Sequence, residues 1–115
     1  MDNLEYQRYH ETKNHTSAEF PYNTYLCSIP RDFTEVPLHW HDEMEIIYIK
    51  KGNGTITVDF TQHTVSAGDI ALILPGQLHS IGQFESESIE YENIIFHPNM
   101  LNSKKTDTCN QDSLV

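Results

Sequence analysis

His39, His41, Glu45 and His79 are the residues whose types and spacing point most directly to chemistry. In the stretch HWHDEMEIIYIKKG, residues 39–52, two histidines stand two apart and a glutamate follows four further on. An apolar run then closes at Gly52. Side chains of one parity share a face of a strand, so a strand regular from 39 to 45 points His39, His41, Glu43 and Glu45 the same way. Imidazoles at i and i+2 lie roughly 6.5–7 Å apart along it, and converging side chains can bring both nitrogens within the ~2.0–2.1 Å of a zinc ion. His79, beyond a Pro-Gly turn in GDIALILPGQLHSIGQ, adds a third imidazole if its strand lies beside or opposite the first. Three imidazoles and a carboxylate suit a divalent metal such as Zn, Ni, Fe, Mn or Cu. The same four could instead hydrogen-bond an organic ligand in a metal-free polar pocket. Glu43 has the right parity but could equally face solvent, and it stays outside the set.

The elements that must carry these residues read as short strands. HWHDEMEIIYIK, TITVDF, HTVSA, DIALIL and IEYENIIFH are rich in β-branched and aromatic side chains and are bounded by Gly, Pro, Asn or Asp. A further alternating segment, FPYNTYLCSI, opens the ordered part. Turns are expected at Gly52-Asn53-Gly54, Thr61-Gln62, Ala67-Gly68-Asp69 and Pro75-Gly76. Ile56, Val58 and Phe60 share one face, and Ile70, Leu72 and Leu74 another. Many short strands at close spacing define an all-β antiparallel sandwich or barrel.

The remaining aromatic and histidine side chains receive structural readings. Trp40, of opposite parity to His39 and His41, should pack against the N-terminal arm or a neighbouring domain. His63 and His97 sit at strand ends, and His10 and His15 lie in the N-terminal segment with no visible partner. Tyr25, Tyr48, Tyr91 and Phe96 are core aromatics, one or two of which could line a pocket.

At 115 residues, with 37% apolar and 10% aromatic side chains, the chain suits one domain. Seventeen acidic against seven basic residues give a formal charge of −10. That charge repels phosphate backbones, so this segment should not itself grip nucleic acid. No apolar run reaches the ~18 residues of a membrane span, and MDNLEYQRYHETKN has no signal-peptide pattern, which predicts a cytoplasmic protein. Cys27 and Cys109 form no zinc spacing and no expected bridge, and the N-x-T triplets at Asn14 and Asn53 are discounted accordingly.

These motifs resemble those of the cupin superfamily. The first cupin motif, G-x5-H-x-H-x(3,4)-E-x6-G, fits without a gap from its first histidine: His39, His41, Glu45, Gly52. Its leading glycine is replaced by Phe33. The second, G-x5-P-x-G-x2-H-x3-N, finds Gly68, Gly76 and His79 in register, with Pro75 one residue late and Gln83 in place of the asparagine. Within the superfamily, H-x-H-x-x-x-E-I-I-Y-I-x-x-G, A-G-D-I-x-x-I-x-P-x-x-x-H-S and F-H-P-N-M-L look like the N-terminal effector-binding domain of AraC-type transcription regulators. The resemblance covers roughly residues 20–97. It implies a small cupin-like barrel at 19–100, a flexible N-terminal arm at 1–18 carrying Tyr6, Arg8 and Tyr9, and a truncated linker at 101–115. It further implies a small-molecule effector, sugar-like or another polar metabolite, bound by His39, His41, Glu45 and His79. DNA would be contacted only by a separate C-terminal domain, and a homodimer is a natural state of such regulators. A stand-alone metal-dependent cupin oxygenase or isomerase is the alternative, weakened because no acid or base appears beyond the metal-ligand set.

Overall fold

The computed structural model describes residues 1–12, 15–16 and 22–101. The polar tail that follows, with Lys104, Lys105 and Cys109, lies outside the described residues, as do Asn14 and the start of the FPYNT segment. Seven strands make up the body: β1 Tyr22–Ile29, β2 Val36–His39, β3 Met44–Val58, β4 Thr61–Ser66, β5 Ile70–Ile73, β6 His79–Gln83 and β7 Ile89–Phe96. A helix, α1, at Asn3–Arg8 precedes them and a 3-10 turn at Pro98–Leu101 follows. Every strand ladder is antiparallel.

The long strand β3 joins two sheets. Its first half pairs with β7 and β5, and β7 in turn pairs with β1. Its second half pairs with β4 and β6, and β6 pairs with β2. The turn expected at Gly52-Asn53-Gly54 is therefore not a reversal: β3 runs through it. The register shifts between Ile49 and Lys51, and Gly52 adopts φ +78°. A bulge of this kind bends a strand and increases its twist, which carries β3 from one sheet into the other. The reversal comes later, at Asp59 and Phe60, both with positive φ (47° and 69°) between the paired Val58 and Thr61. This two-residue turn takes the place of the expected Thr61-Gln62, and it turns Phe60 outward, away from the Ile56 and Val58 face. Asp59 is held by its contacts. Its amide donates to the Leu78 carbonyl at 2.8 Å, and its carboxylate accepts from Gln77 Nε2 at 3.0 Å and from the Leu78 amide at 3.2 Å. The turn thereby anchors the residue immediately before His79.

Between the sheets lies a core of isoleucines (Ile29, Ile47, Ile49, Ile56, Ile73, Ile81 and Ile89) closed by Tyr91. β-Branched side chains alternating along each strand place this row inside. The N-terminal segment has no apolar period, yet α1 forms. Asp2 caps it by accepting from the Glu5 amide at 2.8 Å, and none of its residues is buried. Its contacts come from Trp40, which stacks on Tyr6 (centroids 4.5 Å) and on His10 (4.1 Å). Trp40 Nε1 also donates to the Tyr6 carbonyl at 2.7 Å. Trp40 packs against the N-terminal segment, as its parity predicts. His10 and His15 do have partners, contrary to expectation: His10 meets Asp42 at 3.2 Å, and His15 meets Tyr25 and Glu11.

Candidate functional site

The strand expected to be regular from 39 to 45 is broken. β2 ends at His39 and β3 begins at Met44, with Trp40 diverted into a bridge with His10. His41 thus reaches the cluster from a connection. His39 and His79 are direct cross-strand partners of β2 and β6, with ring centroids 4.2 Å apart. Glu45 enters from β3. Ligand-capable atoms of His39, His41, Glu45 and His79 all lie within 4.8 Å of one another. Glu43 is buried and turned elsewhere: its Oε2 accepts from the His15 amide at 3.1 Å and from the Thr16 hydroxyl at 3.2 Å.

The three imidazoles share one arrangement. Nδ1 of His39 faces the Pro37 carbonyl at 2.8 Å, Nδ1 of His41 the Glu43 carbonyl at 2.9 Å, and Nδ1 of His79 the Gln77 carbonyl at 2.8 Å. A carbonyl oxygen only accepts, so each Nδ1 carries the hydrogen, and Nε2 of a neutral ring presents a lone pair. Yet Nε2 of His41 and of His79 stand 3.0 and 3.2 Å from the same oxygen, Glu45 Oε1. Acceptors at that distance need positive charge between them, from an added proton or a metal cation. Backbone carbonyls that fix ring tautomer and aim Nε2 inward are the usual support of metal-binding histidines. The donor set fits a divalent ion on these grounds.

Electrostatics follow from the same contacts. Burial raises the Glu45 pKa, but hydrogen bonds from His41, His79 and Asn93 outweigh it and hold the carboxyl well below the usual carboxylate range. Burial lowers His41, but the Glu45 carboxylate reverses this and the net shift is upward. His39 is lowered, by burial first and then by His79.

Above the cluster lies a cavity of about 250 Å³. His39, His41 and Glu45 form its floor, and His79 sits beneath them, fully buried. Phe33, Val36, Ile81, Tyr91 and Ile95 make an apolar wall. Glu11, His15, Tyr25 and Asn93 make a polar one. Of the aromatics expected in the core, Tyr25 and Tyr91 line the pocket, while Tyr48 points outward. Burial pushes the Cys27 thiol and the Tyr91 phenol above their ordinary pKa values. His63 and His97 are exposed and remote from the cluster, as expected.

Sequence reasoning missed Asn93, Glu11 and His15. Asn93 had a signal: it shares parity with Tyr91 and Ile95 along β7, so a polar residue fell on the inner face. Glu11 and His15 had none, because no periodicity predicts that a segment outside the strands returns to the cavity mouth.

Two antiparallel sheets curled around a cavity, with histidines and a glutamate at its floor, define a cupin barrel. The chain belongs to the AraC-like ligand binding domain family, whose model matches residues 26–108. It is 30% identical over 86 residues to the uncharacterized HTH-type transcriptional regulator YdeC of Bacillus subtilis, covering 74% of this chain and 30% of that protein. It is 32% identical over 92 residues to the HTH-type transcriptional activator RhaR of Mannheimia succiniciproducens, covering 69% and 33%. The chain therefore spans about a third of the length of these curated relatives. A cupin protein (BF4112) from Bacteroides fragilis has a similar fold, with TM-score 0.64, 26% identity and 70% coverage of both chains.

Proposed function

We propose that this chain is the effector-sensing domain of a bacterial AraC-type transcription regulator. A small polar metabolite enters the cavity and contacts His39, His41 and Glu45, with His79 holding Glu45 from below. The observation that carries this reading is a cavity with a polar floor of two imidazoles and a carboxylate and an apolar wall, in a chain of this family. Binding changes the balance between arrangements of subunits and domains, because the effector can act only through differential affinity for them. Contact with DNA belongs to a separate module, consistent with the −10 charge of this one. On this reading the barrel comprises residues 19–100, flanked by an arm at 1–18 and a linker at 101–115. The regulator works in the cytoplasm as a homodimer and turns nothing over.

The same four side chains could hold a divalent ion, which would supply a Lewis-acidic contact for an effector oxygen or nitrogen. His39, His41, His79 and Glu45 would be its ligands. No helix among the described residues is long and apolar enough to cross a membrane.

The test is a thermal-shift screen of small metabolites on the full-length protein, its Glu45→Gln variant and its His41→Ala variant. Metal content is measured on protein purified without a metal column. A metabolite that stabilises the wild type, loses its effect in both variants and is recovered unchanged supports a sensor. Recovery of a converted product would instead establish an enzyme.

A further inference from the structure

Glu45 sits among apolar neighbours on the inner face of β3. Its cross-strand partners are Ile73 on β5 and Ile95 on β7, both buried, and neither side chain can donate a hydrogen bond. Asn93 comes two residues before Ile95 on β7, so it lies diagonally across from Glu45, at a separation that a long side chain spans. Its Nδ2 donates to Glu45 Oε2 at 3.0 Å. The other oxygen, Oε1, faces Nε2 of His41 and of His79. The carboxylate is therefore held between the two sheets, by an amide from β7 on one oxygen and by an imidazole from β6 on the other.

The orientation of the amide follows from the same contact. Turned over, Asn93 Oδ1 would meet Oε2, and an ionised carboxylate has no hydrogen to offer it. With Nδ2 committed to Glu45, Oδ1 is left buried without a hydrogen-bond partner, the one such side-chain atom among the described residues. A buried acceptor left unpaired is costly, and an apolar side chain of similar shape would avoid the cost. The surroundings would accept one: Tyr91 and Ile95 flank Asn93 on its own face, and Ile47 lies opposite on β3. What the amide supplies at this place is its bond to Glu45. Its backbone is fixed as well, because β7 is paired on both sides, with β1 and with β3.

A carboxylate free to turn can offer a cation either oxygen or both, whereas one held at Oε2 offers Oε1. Partners that orient a ligating group in this way typically change metal affinity by about 10- to 100-fold. We infer that Asn93 is the positioning residue of the cavity floor: it holds Glu45 Oε2 so that Oε1 is turned toward the imidazoles as a single-oxygen ligand for a divalent ion. This deepens the divalent-ion reading of the four side chains given above and rests on it.

The test is zinc affinity, measured by competition with a chromophoric chelator, on the full-length protein and on its Asn93→Leu, Glu45→Ala and doubly substituted variants. Asn93→Leu should weaken zinc about 10- to 100-fold. In the Glu45→Ala background the same substitution should change the affinity less than about twofold, because no carboxylate is left to hold. Circular dichroism checks that each variant is folded, and Asn93→Ala or Glu45→Leu replaces one that is not. Equal losses in both backgrounds would overturn the assignment and leave Asn93 a packing residue. Zinc affinity unchanged in Asn93→Leu, or a wild type that binds no zinc, would overturn it as well. The metabolite screen, run without added metal, decides the sensing function independently of these outcomes.

Discussion

Glu45 and His79, 34 positions apart in the chain, meet at a single oxygen: Nε2 of His79 lies 3.2 Å from Oε1 of Glu45, and His41 reaches the same atom at 3.0 Å. The barrel floor is thus a carboxylate bracketed by two imidazoles whose other nitrogens are tied to the backbone. Its charge state should therefore bear on the stability of the barrel.

Removing that carboxylate should be costly. Glu45→Gln keeps the shape but breaks a buried charged network, and should destabilise the protein by about 3 kcal/mol near neutral pH. The folded-state pKa of Glu45 lies below its ordinary 4.5, so its contribution is present above that pH and is lost as pH falls below it. His41 is shifted upward from 6.5, so its contribution is full below that value and is lost as pH rises through its folded pKa. The difference between wild type and Glu45→Gln should therefore be largest between pH 4.5 and 6.5 and should shrink on either side. Urea unfolding of both proteins at about pH 3, 5.5 and 8.5 checks this.

A divalent ion held by this cluster would compete with protons for the same Nε2 atoms. Zinc affinity, measured by competition with a chromophoric chelator, should rise with pH as His41 gives up its proton. His79→Ala should weaken it about 100-fold or more, with circular dichroism showing whether the fold is retained. Zinc affinity that is flat with pH, or untouched by His79→Ala, would place any metal elsewhere.

Trp40 is the clamp on the N-terminal segment. It stacks on Tyr6 and His10, while the Tyr6 hydroxyl donates to the Gly76 carbonyl at 2.6 Å. Trp40→Ala should leave the strand core folded and release α1. Amide exchange at residues 3–10 should accelerate about tenfold or more, while Ile47, Ile49 and Tyr91 keep their protection. Uniform acceleration across the barrel would instead show that Trp40 supports the whole domain.

Two glycines with positive φ should respond differently to alanine. At Gly52, φ +78°, an added Cβ would collide with the Ser88 carbonyl, so both backbone strain and overlap oppose it. At Gly68, φ +97°, nothing lies within 4 Å and only strain remains. Gly52→Ala should cost about 3 kcal/mol or more and Gly68→Ala about 1 kcal/mol, by chemical denaturation. Equal costs would mean that β3 relaxes freely around its bend.

Much of the fold was legible because alternation is local. Ile56 and Val58 on one face and the glycine turns at 68 and 76 follow from period two and positive φ, whereas for Ile70, Leu72 and Leu74 the shared face was legible but not that it is the exposed one, with Ile73 buried opposite. The bend at Gly52 was misread as a reversal because a glycine with positive φ serves a bulge as well as a hairpin, and only the partner strands distinguish them. The break after His39 escaped for a similar reason: parity assumes a regular strand, and the diversion of Trp40 to His10 depends on residues thirty positions away.

By itself the sequence determined the all-β antiparallel class, because strand alternation and turn chemistry are properties of neighbouring residues, and its cupin-like motifs singled out His39, His41, Glu45 and His79. Only the tertiary structure decided that two Nε2 atoms share one Glu45 oxygen, that Asn93 Oδ1 is buried without a partner, and that Glu11 and His15 close the cavity. Each of these depends on distances between segments that no local pattern encodes. They exist because β3 crosses between sheets and Trp40 draws the N-terminal segment onto the barrel.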